Sequence, residues 1–151
     1  MTTEKNMAKY AAYSSAIERI NSALISGFFL EAITIEESIL TDRLFRFCRD
    51  MGFRGSLERV TLGGEITFLK GKPEKCLKFD LIFIDDLEMF WKNRCKCLHQ
   101  IAKSEPGTAP ENVEDMLKLA STTAQLGKVL IKKASNWAVK YQKSNKENKG
   151  E

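Results

Sequence analysis

The chain has 151 residues, 43% of them hydrophobic, and a formal charge of +4 at neutral pH. That is enough apolar surface for one ordinary core, and nothing in the composition calls for a second domain. No apolar run approaches the roughly 20 residues needed to span a bilayer, and the opening Met1-Thr2-Thr3-Glu4-Lys5-Asn6-Met7 lacks the basic start and apolar stretch of a secretory leader, so a cytoplasmic protein without a membrane partner is expected.

The first element is an amphipathic helix from about Met7 to Ile25, with Tyr10, Tyr13, Ile17, Ile20 and Leu24 recurring at three and four. Ser26-Gly27 weakens it, as a kink or as a true break. A second helix runs from about Phe28 to Met51, placing Ile35, Ile39 and Phe47 on its core side, with Gly52 as a natural stop. The stretch from Gly52 to Lys78 holds five glycines and one of the three prolines and has no long period. Within it, Thr61 to Lys70 suits a short helix, and Ile66-Thr67-Phe68-Leu69 suits a short strand equally well.

Asp80 caps the next helix, and Pro106-Gly107 ends it. At about 100° per residue, Phe83, Ile84, Leu87, Phe90, Trp91, Cys97, Leu98 and Ile101 share one arc of that helix. Arg94 projects from the middle of the arc. A guanidinium cannot shed its proton, so burying it unpaired costs several kcal/mol, and a partner or a wet cleft is expected. His99, the only histidine, lies at the edge of the arc, about 140° round from Arg94 and within reach of a long side chain. Two arrangements satisfy this spacing. In one the pair converges on an anion; in the other, a core-edge arginine meets a carboxylate and the histidine is simply solvated.

Four cysteines, Cys48, Cys76, Cys95 and Cys97, have no spacing typical of a secreted disulfide framework and fit reduced thiols. Cys95-x-Cys97-x-His99 looks like a metal motif, but on a helix positions two apart lie about 200° apart, which turns Cys97 into the apolar arc. No metal and no other cofactor is expected. The last helix runs from about Pro110 to Gln142, with Val113, Leu117, Ala120, Ala124, Gly127, Ile131, Ala134, Ala138 and Tyr141 as its inner stripe, whose small residues let a neighbour come close. Lysines weight its end, and basic residues outnumber acidic ones between Arg54 and Lys78, so both stretches can meet phosphates. The sequence thus predicts an all-α fold, an up-and-down bundle of four to five helices with one polar crossover. One domain covers residues 1–143, and 144–151 form a disordered basic tail.

An all-helical chain whose penultimate long helix carries Arg-x4-His resembles the HEPN family, the higher eukaryotes and prokaryotes nucleotide-binding domains. The segment Gly27-Phe28-Phe29-Leu30-Glu31-Ala32-Ile33, running into Glu37-Ser38-Ile39-Leu40-Thr41-Asp42-Arg43-Leu44, is similar to the second helix of bacterial members, and the likeness extends from about Ser14 to Lys140. Where the family often has asparagine or another polar group after the arginine, this chain has Cys95, with Asn93 before it. The resemblance implies a metal-independent endoribonuclease of toxin-antitoxin or phage-defence type, with Arg94 and His99 of two protomers facing each other across a homodimer cleft. It further implies RNA or a nucleotide as ligand and a nucleotidyltransferase-type antitoxin as partner. In that scheme His99 is general base or acid and Arg94 clamps the phosphate. Asn93 and Gln100 give hydrogen-bonding support, and Glu37, at a family acidic position, orients the pair. Histidine titrates near neutrality and arginine can hold two phosphate oxygens, so cleavage through the RNA 2′-hydroxyl needs no metal. The alternatives are a non-catalytic HEPN module that binds nucleotide or protein, and a purely structural bundle.

Overall fold

The computed structural model describes residues 2–72, 81–102 and 113–147, with side chains described over 4–72, 81–99 and 113–140. The described residues form five helices, α1 (Thr2–Ser26), α2 (Phe29–Asp50), α3 (Leu62–Lys70), α4 (Leu81–Ala102) and α5 (Val113–Glu147), and include no strand. The chain is an all-α helical bundle. No helix among the described residues is long and apolar enough to cross a membrane.

Glycine decides both ends of α2. Gly27 has φ +75°, with its N–H donating to Leu24 O and the Phe28 N–H donating to Ala23 O at 2.8 Å, so α1 truly stops there. Gly52 repeats the arrangement at φ +99°, with Phe53 N–H donating to Cys48 O at 2.9 Å. A left-handed residue at this position satisfies carbonyls that the helix leaves open, and only glycine adopts it without steric cost. The doubtful Thr61–Lys70 stretch is a helix because Thr61, in extended conformation, accepts the Gly64 N–H at 3.1 Å. That cap starts a turn in which Leu62, Ile66 and Leu69 all point inward. The crossover is therefore not purely polar, since its middle contributes to the core.

Ion pairs and ring contacts fix the directions. Lys9–Asp42 and Arg19–Glu31 tie α1 antiparallel to α2, and Lys133–Asp86 with the Thr123–Cys97 contact sets α5 antiparallel to α4. The Phe47 and Trp137 rings meet edge to face at 4.0 Å, and Glu36 lies against Gly127, so α2 and α5 run parallel. These two diagonal helices make the most extensive packing in the bundle. Their closeness follows from Ala32 on one side and Ala120, Ala124, Gly127 and Ala134 on the other, all buried. The small-residue stripe thus sets which helices touch.

Several expected core positions differ. Tyr10 is 73% exposed, Val113 and Leu117 are exposed, and Ile35 is half-buried. Residues 4–12 of α1 all face solvent, because the apolar period continues past the length of helix that α2 and α5 cover. On α2 the buried face is Ala32, Ile33, Glu36, Leu40, Leu44 and Phe47, joined by Ile39 and Cys48. The α5 backbone stays helical to Glu147, so 144–147, expected in a disordered tail, continue the helix instead. Asp80, Pro106-Gly107 and 148–151 lie outside the described residues.

Candidate functional site

Helix α4 buries the arc that its sequence outlines. Phe83, Ile84, Leu87, Phe90 and Cys97 are in the core, and Trp91 and Leu98 are half-buried. Trp91 packs against α3 at Gly63, where a Cβ would stand 2.6 Å from the indole. This contact holds the helix face that carries the arginine.

Arg94 emerges between these residues and meets α2. Its Nε donates to Glu37 Oε2 at 2.7 Å, with the two side chains 29% and 18% exposed. The partner that an arginine on an apolar arc requires is thus a carboxylate of this chain, not Arg94's own helical neighbour. The contact uses one nitrogen. The terminal amino groups of Arg94 make no hydrogen bond to another described residue.

Beside Glu37 a groove of about 510 Å³ opens between α2 and the segment leading into α3, lined by Thr34, Ser38, Thr41, Asp42 and Thr61 among others. Its walls offer hydroxyls and two carboxylates.

The structure brings together Arg94 and Glu37 and does not bring His99 to them. His99 is exposed in the last turn of α4, roughly 7 Å along the axis from Arg94. Asn93 and Cys95 are half-buried, and the Gln100 side chain lies outside the described residues. Cys97 faces inward toward Thr123, and burial pushes its thiol up while the Thr123 hydroxyl pulls the other way. Cys97 and His99 therefore sit on different faces, and among the described residues no three His, Cys, Asp or Glu side chains cluster as metal ligands would.

Two acids that the sequence reading passed over are buried nearby. Glu36 and Glu65 are fully inaccessible, and neither oxygen of either carboxyl has a hydrogen-bond partner. Burial pushes Glu36 up to about 9, with Lys128 opposing. Burial pushes Glu65 up to about 9 as well, and the charge on Asp42 adds to it. Both are protonated at neutral pH. The signal for Glu36 was present, because it falls in register with Ile33, Leu40, Leu44 and Phe47 and opposite the glycine of α5. Arg43 was missed too. It stacks on Tyr13, with its guanidinium carbon 4.4 Å from the ring centroid.

No protein-family model, no curated protein and no solved structure matches this chain.

Proposed function

We propose that the chain is a metal-independent endoribonuclease of the HEPN type, whose site is completed when two copies bring their α4 helices together. The supporting observation is the single-point hold on Arg94. Glu37 takes only Nε, which fixes the guanidinium while leaving its two terminal amino groups for two oxygens of a phosphate. His99 is exposed on the same helix, and in this reading it acts on a strand lying against the partner copy.

The chemistry follows from these groups. The RNA 2′-oxygen attacks phosphorus, the bond to the 5′-oxygen breaks, and a cyclic phosphate and a 5′-hydroxyl result. His99 takes the proton from the attacking hydroxyl or gives one to the leaving oxygen, and Arg94 neutralises charge building on the phosphorane. Glu37 positions Arg94 and does not touch substrate. A toxin or phage-defence role and a nucleotidyltransferase-type antitoxin belong to the same proposal.

The test compares wild type with His99→Ala and Arg94→Ala in RNA cleavage with EDTA present, at matched oligomeric state and with folding checked by circular dichroism. Cleavage lost in both variants is expected. Undiminished cleavage in both refutes the assignment. A second reading, a non-catalytic nucleotide-binding module, draws on the separation of His99 from Arg94 within one chain. It requires intact RNA together with saturable nucleotide binding that Arg94→Ala abolishes.

A further inference from the structure

A crevice of about 200 Å³ lies between α1 and α2, lined by Asn6, Lys9, Tyr10, Tyr13 and Arg43, none of which lines the groove beside Glu37. Arg43 and Glu37 project from faces of α2 about 120° apart.

Among the described residues, the crevice holds a cation without a counter-ion. Arg43 rests on the Tyr13 ring, its buried Nε has no hydrogen-bond partner, and among the described residues no carboxylate pairs with it. Arg19 and Arg94, by contrast, each have a glutamate. Tyr13 is itself fixed, its hydroxyl sharing a hydrogen bond of 3.1 Å with Ser135 on α5. Lys9 pairs with Asp42 at 3.1 Å, so Asp42 offsets one of the two cations and one positive charge is left over. A partly desolvated guanidinium in this state favours an anion.

Tyr10 adds the second requirement. It is 73% exposed, sits in a run of α1 that makes no core contact, and precedes Tyr13 by three residues, so its ring stands beside the same opening. Packing does not account for it. An exposed aromatic ring next to an unpaired guanidinium is what a base with its phosphate calls for, the ring stacking on the base and the fork holding phosphate oxygens. A crevice of about 200 Å³ seats the phosphate and part of a sugar, and leaves the base outside it against the exposed Tyr10 ring.

We infer that this crevice binds one phosphorylated nucleoside, with its phosphate on Arg43 and Lys9 and its base on Tyr10. The inference extends the RNA reading to a second contact on the strand, and the same chemistry would also accept a free nucleotide.

The experiment measures binding, not cleavage, using a fluorescein-labelled 2′-fluoro RNA oligonucleotide of mixed sequence, which has no 2′-hydroxyl to react. Tyr10→Ala and Arg43→Gln are each expected to weaken binding about tenfold, and Arg43→Gln to flatten the salt dependence by about one phosphate contact. Tyr10 is exposed, so Tyr10→Ala remains informative even where Arg43→Gln disturbs the packing on Tyr13. Competition by adenosine monophosphate identifies the free nucleotide as occupant, and its failure to compete assigns the crevice to the strand. Inorganic phosphate competing as well as adenosine monophosphate overturns the base contact. Unchanged binding in both folded variants overturns the crevice as a site and leaves the Arg94 reading standing, whereas no binding by wild type overturns both.

Discussion

Replacing Glu36 with glutamine should change how stability depends on pH. The carboxyl is 0% exposed with no partner for either oxygen, and its pKa is raised from 4.5 to about 9 by burial. In the unfolded chain it ionises near its ordinary value. Between those two values the unfolded state binds fewer protons than the folded one, so the Glu36 contribution is greatest below about pH 4.5, falls as pH rises, and levels off above about pH 9. The slope for one such group is about 1.4 kcal/mol per pH unit. From pH 5 to pH 7 that amounts to roughly 3 kcal/mol, a large part of the 5–15 kcal/mol typical of a domain. Glu65 contributes a second loss of the same order over the same window. Urea unfolding at several pH values between 5 and 9 reads the effect directly. Glu36→Gln should remove about half of the wild-type slope and the double variant with Glu65→Gln most of it. Parallel pH profiles for wild type and both single variants would refute the claim that these carboxyls fold in their neutral form.

Gly127→Ala should destabilise by about 1–3 kcal/mol, because the added methyl meets the Glu36 carboxyl and stands 2.7 Å from the Phe90 ring. Thermal melts should show the loss, and truncating Glu36 to alanine in the same chain should recover part of it. Gly27→Ala should cost about 1 kcal/mol for a different reason, as nothing lies within 4 Å of its Cβ position but φ is +75°. Asparagine at Gly27 should cost less than alanine in the same melts, and equal costs would point to a steric cause instead.

The helices were legible wherever an apolar period met a stop signal. Gly52 ended α2 as its position suggested, and the arc of α4 buried Phe83, Ile84, Leu87, Phe90 and Cys97, with Trp91 half-buried. Ile66-Thr67-Phe68-Leu69 stayed ambiguous until the Thr61 cap fixed it, since propensity alone does not separate a short helix from a short strand. Tyr10 and Val113 carried the right period and are exposed, because periodicity describes a face and not whether anything covers it. The need of Arg94 for a partner was readable from its place on an apolar arc. Glu37 was named for that place only through the family resemblance, because no local pattern encodes that α2 lies beside α4. Glu36 and Glu65 escaped notice because a glutamate is ordinarily taken as solvated.

The parallel contact between α2 and α5 joins Phe47 to Trp137, about ninety positions apart in sequence. The α1–α2 hairpin is local and can close early, while docking of α5 must wait for a long loop to be ordered. Until then Glu36 is in water and ionised at neutral pH. Arrival of Gly127 over it therefore requires the carboxyl to pick up a proton, so core closure in this chain is a proton-uptake reaction, and refolding quickens in mild acid to the extent that α5 is already docked at the rate-limiting step.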